Sequence, residues 1–391
     1  MNQSAPRRLL ILVVVITVAV IANLVAVTLP VFMTQLGANR HMSESQTGLF
    51  AMGEMGGIAL GSMLCALLPA MVARLTLRGT AVLGLVVLIL ANVLMFRVTP
   101  LAPFLLLSLV AGTGGGILNA VLYSVLLAEG GGARSVAYFN AAQLGAGALG
   151  VGIFSEIAAR HGGDSLFLVL AGAGVLGLFL SVLIPLNVGH SEQHDPEAAH
   201  IASRPISPLG WVAVASLFTY FIGSGAVYSF LAYMGEAWGG KPQDVAAAIS
   251  GIMAISVVAT VLVAVIGSRL GFVIPLIFAI GGSMLAMALF ILFKPVAGYL
   301  ALGGLFYFCV NVATPYLFDA LTTIDRSNSA AMMMGAAMQG GIALGPAVAG
   351  YLVTPDYVLV NSFALGVSAL SGVMLVIAIR AHHRPALVPA T

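Results

Sequence analysis

Residues 139–150 read FNAAQLGAGALG, and residues 334–345 read MGAAMQGGIALG. Aligned without gaps, the two stretches share Ala141/Ala336, Ala142/Ala337, Gly145/Gly340, Ala148/Ala343, Leu149/Leu344 and Gly150/Gly345. Weaker matching runs back to Tyr123/Phe318 and Asn119/Thr314. The copies stand half a chain apart in a sequence of 391 residues. In a strongly apolar chain, such a repeat implies two related halves with a site where they meet.

The chain is 60% hydrophobic and 7% charged. A soluble domain carries about 25% charged residues. A chain of this length cannot bury so much apolar surface inside itself, so lipid must solvate most of it. The net charge of +2 points to neither nucleic acid nor acidic partners. Cys65 and Cys309 lie inside apolar runs and define no disulfide framework. The opening MNQSAPRRLL could begin a signal peptide. The apolar run from Leu9 to Phe32 is too long for one, and no clean small-residue cleavage site follows it. It reads as a first spanning helix that is retained.

Twelve apolar segments can be marked, at 9–34, 46–69, 77–96, 100–128, 135–158, 165–187, 209–235, 244–267, 272–293, 296–322, 329–353 and 358–380. Each is long enough to cross a hydrocarbon core of ~30 Å as a helix. Helices are the default because lipid leaves every backbone group to be paired internally. The expected fold is therefore all-α, with an N-terminal six-helix bundle over 1–187, a polar linker over 188–208 and a C-terminal bundle over 209–391. Positive residues set the orientation. With the N-terminus inside, Arg7, Arg8, Arg74, Arg78, Arg134, Arg204, Arg269, Arg326, Arg380 and Arg384 fall inside. Arg40, Arg97, Arg160, Lys241 and Lys294 fall outside. Both termini are expected in the cytoplasm of a bacterial cell, with the chain in the inner membrane.

Two six-helix halves and a central loop resemble the major facilitator superfamily of transporters over nearly the whole chain. That family's loop signature after the second helix is G-x-x-x-D-R-x-G-R-[RK]. Here ALLPAMVARLTLRG (66–79) supplies Arg74 and Arg78, but Ala73 takes the acidic position and the leading Gly is missing. The second copy, Gly267-Ser268-Arg269-Leu270-Gly271, also lacks the acid. An antiporter-linked pattern, G-x-x-x-G-P-x-x-G-G, belongs to the fifth helix of that family. The fifth helix here lacks the Pro, and the eleventh carries Gly341-x3-Gly345-Pro346-x3-Gly350. The resemblance implies alternating access, with Arg74, Arg78, Arg269, Gly341, Gly345 and Pro346 in gating roles. It also implies that the second and eleventh helices, and the fifth and eighth, pack across the interface. On that reading the strips Gly53-x3-Gly57-x3-Gly61 and Ala337-x3-Gly341-x3-Gly345-x3-Ala349 are sliding surfaces.

Glu54 stands deep in the second span, in FAMGEMGGIALG. A charge there costs roughly 2.5–3.5 kcal/mol or more unless it is protonated, paired or facing water. It can serve as a proton carrier or as a structural partner on another helix. Asp319, near the inner end of the tenth span, has Ser124 as its repeat mate. The resemblance implies a gate pair with Arg269, with proton coupling as the other reading. The resemblance also places Asn23, Asn119, Tyr123, Tyr220, Tyr228, Tyr307, Asn311 and Tyr316 on the helices that line the central cavity. Tyr138, Asn140, Gln143 and Gln339 come from the fifth and eleventh helices. Each can bond a neighbouring helix or a substrate. No Lys or Arg lies in the middle of a span, which argues against a multiply charged anion as substrate. A neutral, weakly polar, lipophilic or cationic compound is expected. Met332, Met333 and Met334 could form an adaptable surface or simply pack.

His190, His194 and His200 fall in the linker with Glu192, Asp195 and Glu197, and a charged loop explains them better than a metal site. Gly112–Gly116 and Gly130–Gly132 lack the strand–turn–helix setting of a nucleotide loop. No metal, cofactor or enzymatic activity is expected. The leading expectation is proton-coupled efflux of a small organic compound by a monomer. An importer or uniporter is the alternative, and a non-transporting sensor or assembly partner is the reading from another class.

Overall fold

The computed structural model describes residues 5–128, 132–186, 205–267, 269–293, 298–325 and 327–382. The histidines and acids of the central linker, and Lys294, Arg326 and Arg384, lie outside the described residues. Thirteen helices appear among those described. They are α1 (Ala5–Ala22), α2 (Leu24–Arg40), α3 (Glu44–Leu67), α4 (Pro69–Arg97), α5 (Leu101–Ala128), α6 (Gly132–His161) and α7 (Ser165–Ser181). The second group comprises α8 (Pro208–Ala237), α9 (Pro242–Ile266), α10 (Val273–Phe293), α11 (Tyr299–Ile324), α12 (Asn328–Tyr351) and α13 (Val358–His382). No strand occurs among the described residues. Helices α1 and α2 form one crossing, Leu9–Arg40, interrupted at Asn23. With it, ten helical stretches are long and apolar enough to span a membrane. The 17-residue α7 and the 24-residue α12 bring the crossings to the expected twelve.

The ends of these helices follow from local chemistry. Ser43 caps α3 by accepting from the N–H of Gln46, whose Oε1 in turn accepts from the Ser43 N–H. Ser207 caps α8 ahead of Pro208, a residue that suits the first helical position. Ser327 caps α12 through the N–H of Ala330. The expected loop over 66–79 differs most. Residues 69–75 are already helical, and the chain turns at Thr76 (φ 62°) before the third crossing begins. Arg78 then donates from Nε to the Ile184 carbonyl at 2.9 Å, holding the chain just after α7.

Small residues set the tightest crossings. A side chain at Gly57 or Gly61 would overlap the α5 backbone at Leu109, Gly112 and Thr113. A side chain at Gly341 or Gly345 would overlap the α8 backbone at Phe218, Ile222 and Ala226. These strips therefore pack α3 on α5 and α12 on α8, not α3 on α12 as expected. The α3–α12 contact uses another face of each helix. Gly48 lies against Pro346, Gly350 against Glu44 and Ser45, and Gly56 against Ala343. Helix α6 meets α9 where Gly147 faces Met253. The repeat is visible in three dimensions: Gly150 packs on Thr28 of α2, and its mate Gly345 packs on Ile222 of α8.

The face where α2, α4, α6, α8 and α12 end is called the far face here, and the opposite one the near face. Under the far face, Phe32, Phe50, Phe104 and Phe167 form one aromatic cluster with centroids 5.4–6.4 Å apart. Arg40 lies over the Phe104 ring at 4.4 Å. It pairs with Asp164 and donates to the carbonyls of Val98 and Met95 at 2.7 and 2.6 Å.

Candidate functional site

The interruption at Asn23 positions the site. Asn23 has φ −106° and ψ 9°, outside the helical region. Its amide donates to the Ala19 carbonyl at 2.7 Å and to Asn119 Oδ1 of α5 at 2.7 Å. Asn119 Nδ2 returns a bond to Asn23 Oδ1 at 3.2 Å. Both side chains are buried. A polar group buried without a partner costs about 1–3 kcal/mol, and this reciprocal pair removes that cost.

Tyr228 of α8 approaches the same level. Its hydroxyl donates to the Val27 carbonyl at 2.7 Å, one turn along from Asn23. Its ring stacks on Tyr307 of α11 at 4.6 Å and 8°. The Tyr307 carbonyl accepts from Asn311 Nδ2 at 2.8 Å. The structure thus gathers Asn23, Asn119, Tyr228 and Tyr307, from both sets of helices, around the middle of the bundle, with Asn311 one turn along α11 from Tyr307. Tyr307 and Asn311 remain half-buried. Asn140 and Gln143 are half-buried on the α6 face that carries Gly147, which packs on Val27 and Met253. Tyr123, 41% exposed, lies one turn nearer the near face than Asn119, edge-on to Phe139. Gln339 is half-buried on the α12 face of Ala343 and Pro346.

Other candidates go elsewhere. Tyr220 is fully buried with its hydroxyl 3.3 Å from Ser283 of α10, so it belongs to the interior of the second set of helices and not to a cavity wall. Tyr138 is 56% exposed and shares its helix face with Leu149 and Ile153, both exposed, so it points away from the centre. Arg269 is exposed and forms no ion pair with the half-buried Asp319. The Tyr316 hydroxyl, donating to the Gly267 carbonyl at 2.9 Å, ties α11 to the end of α9 instead. Arg74 is exposed. Met333 and Met334 are half-buried against the core.

Glu54 is 4% exposed, and its Oε1 finds no hydrogen-bond partner in the protein. It lies on the α3 face shared with Thr47, Ala51 and Ile58, next to the Gly57–Gly112 crossing with α5. Among the described residues no group of three metal-ligating side chains occurs. An apolar groove of about 800 Å³, lined by Met52, Gly56, Leu106, Phe218 and Gly340, lies between α3, α5, α8 and α12, and Glu54 is not part of its wall.

Every hydrogen bond between α1–α7 and α8–α13 among the described residues lies from Asn23 toward the far face. These are Tyr228 to Val27, and Tyr233 to the Met33 carbonyl (2.9 Å) and to Thr47 Oγ1 (3.3 Å). Two tyrosines therefore tie the two sets of helices together between the level of Asn23 and the far face. Tyr233 had no mark in the sequence beyond its place in a span, because its main acceptor is a backbone carbonyl.

Length and apolarity of the helices define a multi-pass helical membrane protein, and its fold is shared with solved structures of transporters. The chain is similar to the solved structure of the nucleoside transporter NupG, with a TM-score of 0.72 and 12% identity over 98% of this chain and 100% of that one. It is similar to a partially occluded inward-open form of the xylose transporter XylE from E. coli, with a TM-score of 0.72 and 13% identity over 94% and 97%. A D-xylose–proton symporter structure gives a TM-score of 0.72 and 13% identity over 93% and 97%. No family profile and no curated protein sequence matches the chain.

Proposed function

We propose that the protein is a secondary active transporter of a small neutral, polar organic molecule, working by alternating access and coupled to protons. The observation that carries this reading is the central cluster of Asn23, Asn119, Tyr228, Tyr307 and Asn311. It draws uncharged amides and phenols from both sets of helices to one level of the bundle. Such groups recognise hydroxyls, amides and flat ring faces, and they offer no counter-charge to an ion. Residues 1–187 and 209–391 form the two moving units, joined by 188–208. Asn140, Gln143, Tyr123 and Gln339 extend the substrate path toward the near face. Pro346, on the α3–α12 contact, stands in a gate, and Gly341 and Gly345 hold α12 to α8 behind it.

Glu54 supplies the proton step. A carboxyl buried this far with an unpartnered oxygen is stable in the membrane as the neutral acid, and it must meet water or a partner to ionise. Asp319 has no comparable setting. Import by symport is favoured over the export expected from the antiporter-like pattern. That pattern is built into helix packing here, and the similar solved structures carry the names of nucleoside and xylose transporters. The chain acts as a monomer in the bacterial inner membrane, with the near face toward the cytoplasm, and it is not an enzyme.

Reconstituted protein should accumulate a radiolabelled nucleoside or pentose when a pH gradient is imposed. Glu54→Gln should abolish that accumulation and leave substrate counterflow intact. Gradient-driven accumulation that survives in Glu54→Gln would remove Glu54 from the mechanism. Absence of counterflow with every compound tried would sink the transport reading.

A further inference from the structure

We infer that Tyr228 is the latch that ties the central cluster to closure of the far face; this rests on the transport reading above. The two parts of this side chain make different contacts. The ring is stacked on Tyr307 inside the cluster. The hydroxyl donates to the Val27 carbonyl on the other set of helices.

The turn it grips is weak on both sides. The helix is interrupted at Asn23, four residues before Val27. Pro30, inside α2, has no N–H to give to the Ala26 carbonyl. Kinks and shifts concentrate where the helical ladder is already incomplete. Val27 N–H donates to the Asn23 carbonyl at 3.1 Å, and Asn23 holds Asn119. A contiguous set therefore runs Tyr307–Tyr228–Val27–Asn23–Asn119, with two arrangements available, hydroxyl bonded or hydroxyl free. A ligand that stacks on Tyr307 or takes the amide of Asn23 must move the Tyr228 ring or the Val27 turn. Either movement breaks the bond that closes the far face.

Tyr233 provides the contrast. Its hydroxyl also donates across the seam, to Met33 and Thr47. Its ring, however, packs on Phe230 at 5.6 Å, away from Tyr307. It holds the far face shut without sensing the cluster. The latch is thus one residue of a two-tyrosine seal, and it is the one that touches the site.

The test uses the full chain in lipid nanodiscs, with Cys65 and Cys309 replaced by Ser and spin labels at Ala38→Cys and Gln243→Cys. Both labelled positions are exposed at the far face. Pulsed electron paramagnetic resonance gives the distance distribution. Without ligand, Tyr228→Phe should raise the far-open population about two- to tenfold, the range expected for one neutral hydrogen bond. Unchanged ligand-free populations would overturn the inference. With a nucleoside and pentose mixture as probe, the unsubstituted protein and Tyr233→Phe should both shift, and Tyr228→Phe should not. A Tyr228→Phe protein that shifts as the unsubstituted one does would also overturn it. If no protein responds to these probes, the transport reading loses its support, and the ligand-free populations still decide the latch. Loss of one oxygen leaves the ring stack in place, and an unshifted size-exclusion profile of Tyr228→Phe confirms that folding is intact.

Discussion

Arg40 counts in the sequence only as one positive charge near a membrane edge, yet it bonds three separate elements. Its guanidinium reaches Asp164, Val98 and Met95 and covers the Phe104 ring, with its side chain 12% exposed. Removing one member of a buried pair costs about 3–5 kcal/mol, because the other charge is left stranded. Asp164 is partly open to solvent at 31%, so Arg40→Met should cost about 3 kcal/mol. The double variant Arg40→Met/Asp164→Asn should recover part of that loss, as thermal melts in detergent will report. Asp325 makes a similar point with the opposite sign of charge. Burial pushes its carboxyl up, but bonds from the side chains of Ser207 and Ser327, and then from their N–H groups at 2.7 and 2.9 Å, outweigh burial and hold it at about 2. It sits between the first turns of α8 and α12, where the helix dipoles favour an anion. A depressed carboxyl stabilises the fold fully above its ordinary value near pH 4, and that stability is lost as pH falls toward 2. Asp325→Asn should therefore cost about 2 kcal/mol at pH 7, with the gap narrowing between pH 4 and pH 2. A gap that is constant with pH would rule out the charge as its source.

The crossings were legible as a class and illegible in detail. Apolar length marks all twelve, because a lipid-spanning helix must be about 20 residues long. Glycine spacing marks the faces that pack closely. Neither says which neighbour a face meets, because Gly53-x3-Gly57-x3-Gly61 describes a stripe on one helix and nothing about its partner. The interruption at Asn23 and the turn at Thr76 were hidden for another reason. Both are single-residue departures from helical geometry inside sequences with good helical content. Even the repeat misleads at one point. Gly145 and Gly340 are identical positions, but a side chain at Gly145 meets nothing within 4 Å, and at Gly340 it comes within 3.3 Å of Phe218. Gly145→Ala should therefore be neutral or stabilising by up to about 1 kcal/mol. Gly57→Val, aimed at α5 backbone, should cost about 3 kcal/mol or more, or prevent folding. Size-exclusion profiles and melting temperatures of the two variants will separate these outcomes.

For the molecule as a whole, the seam between α3 and α12 offers a direct mechanical test. A side chain at Gly56 would place its Cβ 3.8 Å from that of Ala343, a separation that suits a disulfide. Gly56→Cys with Ala343→Cys, in a background lacking the native cysteines, should oxidise readily. Counterflow should then stop, and return when a reductant is added. Full activity in the oxidised protein would mean that the two sets of helices do not part here. What the sequence leaves most obscure at this scale is the seal itself, because its acceptors are main-chain carbonyls of Val27 and Met33. A carbonyl is present whatever side chain stands at those positions. The donors must stay phenolic, while positions 27 and 33 can drift among residues of similar size without weakening the closure. Selection on this seal is one-sided. One set of helices carries most of the constraint and the other lends two carbonyls and the Thr47 hydroxyl, so the two halves can diverge in sequence at different speeds while still shutting on each other.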